Sequence, residues 1–227
     1  MSTLQTTATI SLPRYVMLGG GSHARVILDA ILAGGCDAPC AILDEDESLH
    51  GTCIRGVPVM GDDSQLSQLI DQGVTDFVVG VGSTGNANVR RRIFEAALEQ
   101  NLQPRTVIHP TAAISPTASI GEGSLILANA VVNPGAILAD NVVVNSGAVV
   151  EHDCRLAAHA HIAPGATLAG DVCVGEAAHI GVGATILQQL SIGARSIIGA
   201  GSVVLNNVPD DVVVIGVPAR VLRRVAA

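Results

Sequence analysis

The sequence predicts a small α/β domain running directly into a left-handed parallel β-helix, a triangular prism of six-residue repeats. Three observations carry this reading. Every sixth residue from Ile108 to Val204 is Ile, Val or Leu, in one unbroken register. The fifth residue of nearly every hexad, counting that aliphatic as the first, is small, as at Ala112, Ala130, Ala148, Cys154, Ala166 and Ser202. Ahead of the register, residues 14–107 alternate short apolar runs with amphipathic stretches, the pattern of a small parallel sheet flanked by helices. A six-residue period follows neither from the helix period of about 3.6 nor from the strand period of 2. A coil of three short strands produces it, with one aliphatic and one small side chain pointing inward on each side, giving roughly six turns.

Taken in order, residues 1–13 lack the basic and apolar regions of a signal peptide and read as a disordered leader. A strand is expected at 15–18, then the loop GGGSHA and a helix to about 33. A second strand at 41–43 ends in the acidic run Asp44, Glu45, Asp46, and the segment containing GVPVMGDD reads as a loop. A helix at about 64–72, a strand at 77–81, a helix at about 88–101 and a strand at 106–108 complete this half. At roughly 90 residues it amounts to one mononucleotide-binding half of a dinucleotide fold. The hexads of 108–209 follow without a linker, and 210–227 reads as a strand, a Val-Pro-Ala turn and a basic tail that caps the open end of the prism.

Composition narrows the function. Aromatic residues are 1% of the chain and Trp is absent, so the core is aliphatic and regular. Mean hydropathy is +0.49, yet no run reaches the roughly 18 apolar residues of a membrane span. Five cysteines without framework spacing imply reduced thiols and a cytoplasmic setting. A net charge of −8 lacks the basic footprint that nucleic acid requires.

Two sets of residues carry chemistry. Gly19, Gly21 and Ala24 fit G-x-G-x-x-A between a strand and a helix, with Asp44 twenty residues further on. Glycines let the backbone approach a phosphate, the helix start supplies N–H donors, and an acid ending the second strand can hold ribose hydroxyls. His23 within this loop is placed for a phosphate or sugar, and the Gly82-Ser83 loop is expected to line the same crevice. A nicotinamide-dependent reductase fits poorly, because the second half of a dinucleotide fold is missing. The second set is Glu151-His152-Asp153, the sharpest interruption of the apolar register. A His flanked by carboxylates can be held in one tautomer and made more basic, as a general base requires. The spacing leaves open which acid partners it. His161 and His179, both sixth in their hexads and eighteen residues apart, stack on adjacent coils, which also raises a zinc reading of the carbonic anhydrase kind.

The combination GGGSHA, LDED, VGVGS, IHPTAAISPTASIGEG, NSGAVVEHDC, HIAPGATLAGDVCVGE, HIGVGATI and VIGVPAR resembles the bacterial hexapeptide-repeat sugar acetyltransferases, across nearly the whole chain from Tyr15 to Leu222. Within that superfamily the likeness is to the sialic acid O-acetyltransferase and UDP-4-amino-sugar N-acetyltransferase group. The resemblance implies acetyl-CoA as co-substrate, no metal, a nucleotide-linked (UDP- or GDP-) 4-amino-4,6-dideoxy sugar as acceptor, and a homotrimer with active sites between subunits. It implies His152 as general base with Asp153 raising its basicity, and Asn145 on the acceptor sugar. It places Gly21, Ser22, His23, Asp44, Glu45 and Gly82 on the nucleotide, and His161, Gly170, Val182 and Ala200 along acetyl-CoA. The chain departs from the family where relatives often carry a Gly before the loop histidine, a second Asp in place of Glu45, and a Gly in place of Ala200. A sialic acid O-acetyltransferase is the nearest alternative, followed by the zinc enzyme and a scaffold without activity.

Overall fold

The computed structural model describes residues 14–83, 85 and 87–225, so the expected leader lies outside the described residues. The first half is a six-stranded sheet in the order β3-β4-β2-β1-β5-β6. Its strands are β1 (Arg14–Leu18), β2 (Ala41–Leu43), β3 (Cys53–Ile54), β4 (Val57–Gly61), β5 (Val74–Val79) and β6 (Gln103–Pro104). The helices are α1 (Ser22–Ala33), α2 (Leu66–Asp71) and α3 (Asn88–Glu99). All pairings are parallel except the β3–β4 hairpin. Because β1 sits between β2 and β5, the order in which strands are added reverses at it, and the carboxyl ends of β1 and β5 form the crevice where such sheets bind ligands.

Two differences from the sequence reading have clear causes. The GVPVMGDD segment contains strand β4, not only a loop. Val57, Val59 and Gly61 are buried and alternate with exposed Pro58 and Met60, a half-buried strand masked by its proline. Strand β5 starts and ends earlier than 77–81, because Gly80 must leave the strand to pack on Gly19, where a side chain at 80 would strike the Gly19 carbonyl.

From Val107 the chain coils into three parallel sheets stacked at eighteen-residue intervals, confirming the left-handed β-helix. Face one begins with Val107–Ile108 and continues through Leu125–Ile126, Val143–Val144, His161–Ile162, His179–Ile180 and Ile197–Ile198. Face two includes Val131–Val132 and Val149–Val150, and face three includes Ile137–Leu138 and Arg155–Leu156. The 106–108 strand therefore belongs to the prism, since Val107 and Ile108 pair with Leu125 and Ile126. Inside, the first-position aliphatics and fifth-position small residues form one cluster, including Ala148, Val150, Cys154 and Ile162. The fourth position of many hexads is left-handed, as at Asn129, Asn141, Asp153 and Asp171, and in glycines such as Gly147 and Gly165. Asn, Asp and Gly tolerate that conformation best, so this position sets the corners.

A second cluster joins the halves. Ile27, Leu28 and Ile31 of α1 pack with Val107, Leu125, Leu127 and Val143 of face one. Sixth-position side chains, which point out of the prism, are therefore buried on face one at Val107, Leu125, Val143 and His161 but exposed on face three, where Ile137 is 43% exposed. The open end is closed by an antiparallel hairpin, Val212–Gly216 with Ala219–Arg224, that continues face one.

Candidate functional site

The corners of the prism separate the functional residues into two groups. The corner between faces two and three carries Glu151, His152 and Asp153. Asp153 takes the left-handed conformation the turn needs, with φ of 60°. Its carboxylate Oδ2 accepts from His152 Nδ1 at 2.9 Å. That settles the partner left open by spacing: Asp153 holds the ring, while Glu151 accepts from the His152 backbone N–H at 3.2 Å. With its proton on Nδ1, the imidazole presents the lone pair of Nε2. The hydrogen bond to Asp153 raises the His152 pKa above its ordinary value, although the ring is exposed. One coil on, Gly170 lies against the ring, and a methyl group there would collide with Nε2 and Cε1. Glycine at 170 thus fixes how close the imidazole lies to the prism.

The corner between faces one and two, together with the N-terminal domain, lines a cavity of about 620 Å³. Ser22 and His23 reach it from the start of α1, Gly82 from the loop after β5, and Asn145, His161, Val182 and Ala200 from the prism. His152, Asp153 and Gly170 are not in its lining. His161 sits at a sixth position, yet only 5% of it is exposed, because the N-terminal domain covers face one. Its Nδ1 contacts Ser83 Oγ at 2.5 Å and its Nε2 contacts Asn145 Nδ2 at 3.3 Å. Burial, then the neighbouring His179 and His23, push its pKa well below the ordinary value. His179 stacks on it edge to face, with ring centroids 5.0 Å apart. Burial, followed by Arg90, lowers His23 to about 4. The cavity histidines are therefore neutral at pH 7, opposite in tendency to His152.

The glycine loop is built tightly. Gly19 has φ of 100° and a side chain there would meet Val81, so only glycine lets the ends of β1 and β5 approach. Asp44 is already committed: Oδ2 accepts from Gly20 N–H at 2.5 Å and Oδ1 from Asp46 N–H at 2.8 Å. It locks the loop, whereas Glu45 remains exposed, 4.0 Å from Arg92. Gly21, where a side chain would meet nothing within 4 Å, opens α1 without a side-chain cap. Among the described residues, no group of three or more His, Cys, Asp or Glu is arranged to hold a metal ion.

Sequence reasoning missed two residues of this site. Ser83, noted only as part of a loop, bonds His161 across the domain boundary. Arg90 on α3 is 1% exposed and donates to the carbonyls of Val79 and Val81 and, at 3.4 Å, of Gly123 in the prism. An arginine on an otherwise amphipathic helix reads as solvated, and only the packing shows it buried.

Residues 14–97 match the family described as the PglD N-terminal domain, and residues 117–152 match the bacterial transferase hexapeptide family of six repeats. No curated protein matches the sequence. Among solved structures, PerB from Caulobacter crescentus in complex with CoA and GDP-perosamine superposes with a TM-score of 0.86. It is 39% identical, over 93% of this chain and 98% of that one. The acetyltransferase domain of PglB from Neisseria gonorrhoeae in complex with acetyl coenzyme A gives 0.83 at 38% identity, covering 92% and 100%. WeeI from Acinetobacter baumannii gives 0.75 at 26% identity, covering 93% and 100%.

Proposed function

The chain belongs to the PglD-type hexapeptide-repeat sugar acetyltransferase family, and from that premise we propose that it moves acetyl from acetyl-CoA to the amino group of a nucleotide-linked 4-amino-4,6-dideoxy sugar. The observation that carries the reaction is the His152–Asp153 pair, an imidazole tied at Nδ1 and open at Nε2. Nε2 takes the proton of the acceptor amine as its nitrogen adds to the thioester carbonyl. The C–N bond forms, a backbone N–H holds the oxyanion, and collapse expels the thiolate of CoA, which recovers a proton. Asp153 stabilises the imidazolium between these steps. Gly21, Ser22, His23, Glu45 and Gly82 bind the nucleotide, with Asp44 shaping the loop, and Asn145 orients the sugar. His161, Gly170, Val182 and Ala200 border acetyl-CoA.

We propose a homotrimer, and the separation of the two corners supports an active site shared between subunits. His152 and Gly170 lie across face two from the cavity, so one protomer does not bring base and cavity together. A neighbouring prism that sets its His152 corner against the cavity completes the site. No helix among the described residues is long and apolar enough to cross a membrane. The five cysteines are free, which suits the reducing cytoplasm where acetyl-CoA and nucleotide sugars are found.

The test is a free-thiol assay with acetyl-CoA against UDP- and GDP-linked 4-amino sugars and against sialic acid, with and without chelator. Turnover of an amino sugar that survives chelation is the expected result. Acetylation of sialic acid alone would replace this reading with the O-acetyltransferase, and chelator-sensitive activity restored by zinc would revive the metal reading.

A further inference from the structure

The hydrogen bonds linking Ser83, His161 and Asn145 run in one direction. Asn145 Oδ1 accepts from the Ser146 N–H at 2.8 Å, which turns the amide nitrogen toward His161 Nε2. An amide nitrogen only donates, so Nε2 accepts and the single proton of the neutral ring lies on Nδ1. Nδ1–H then donates to Ser83 Oγ at 2.5 Å. The hydroxyl proton of Ser83 is left without an acceptor among the described residues, on a side chain 3% exposed that lines the cavity. A buried donor in that state is one a ligand can satisfy.

The surroundings state which ligand. Behind the same loop the buried Arg90 guanidinium donates to three carbonyls and has no carboxylate partner among the described residues. Across the loop α1 begins without a side-chain cap at Gly21, and the N–H groups of Ser22 and His23 precede the first intrahelical bonds. Among the described residues no Asp or Glu lines the cavity. Hydroxyl, cation and helix start meet at the carboxyl ends of β1 and β5, and each favours negative charge.

We propose that Ser83 is a diphosphate-binding residue, donating its hydroxyl proton to a phosphate oxygen of the nucleotide-linked sugar while Arg90 supplies the positive charge behind it. This rests on the nucleotide-sugar reading of the same cavity. His161 acts through Ser83: its fixed tautomer occupies one lone pair of the hydroxyl and so aims the proton into the cavity.

Equilibrium binding of GDP, UDP and acetyl-CoA to the full chain tests this. Losing a hydrogen bond to a charged group weakens binding about 10- to 100-fold. Ser83→Ala is expected to lose that much affinity for whichever diphosphate the unsubstituted protein binds, with a smaller loss of acetyl-CoA affinity and a thermal midpoint lowered by the loss of the buried bond to His161, and Ser83→Thr is expected to restore nucleotide affinity. Unchanged nucleotide affinity, equal loss of acetyl-CoA affinity, or a Thr variant as weak as Ala overturns the proposal. If the unsubstituted protein binds neither GDP nor UDP, the nucleotide reading itself fails and this inference with it.

Discussion

His152 and His161 lie nine residues apart in the same repeat, yet the fold gives them opposite chemistry. His152 stands in solvent at a corner, bonded to one carboxylate that raises its pKa. His161 points outward from a face just as regular, but the N-terminal domain covers it, and burial holds it neutral. The lesson is that the prism sets positions while coverage sets protonation. An exposed paired imidazole suits a base that must accept a proton. A buried neutral one suits a fixed link between domains.

The comparison can be broken most severely at His152. His152→Ala is expected to lower kcat by about 10²–10⁴-fold, the usual range for losing a general base, while the nucleotide sugar still binds. A kcat within a few-fold of the parent in a steady-state assay removes His152 from the role. The coverage of face one is tested at Leu125, fully buried against the N-terminal domain. Leu125→Ala should cost about 2–5 kcal/mol, the range for truncating a buried leucine, read by denaturant unfolding. A loss near zero would mean that the two halves do not share a core.

A smaller effect is expected at Asp153. Because Asp153 raises the His152 pKa, Asp153→Asn should move the acid limb of the pH–rate profile to lower pH and reduce kcat about tenfold, in keeping with a weaker base. An unmoved limb would assign it to another group. The smallest effect concerns pH and stability. His161 has a folded pKa below its unfolded value, so the unfolded chain binds more protons as pH falls under about 6.5. Stability is therefore highest above that pH and declines as pH falls toward the folded pKa. The thermal midpoint should drop by a few degrees between pH 7.5 and 5.5, and His161→Gln should flatten that slope. An identical slope in the variant would show that His161 is not the group being titrated.

Much of the prism was legible because its periodicity is local. The aliphatic of every hexad and the residue before each two-residue strand, small in nearly all and larger at positions such as Val142 and Val172, fill the same narrow interior, so the pattern repeats visibly along the chain. The N-terminal half was legible in outline only. Pro58 disguised β4, and Gly80 ended β5 early through contact with Gly19, a residue sixty-one positions away.

The sequence by itself determined the coil, the glycine loop, and the chemistry available at His152 and Asp153, since each depends on residues within one hexad or one turn. Tertiary structure decided that Asp153 is the acid that bonds His152 Nδ1, that His161 and Arg90 are buried, and that Ser83 meets His161. It also decided that Asn145 and His152 occupy different corners. Burial and protonation depend on which surface covers a face, and that surface is supplied by residues far away in the chain.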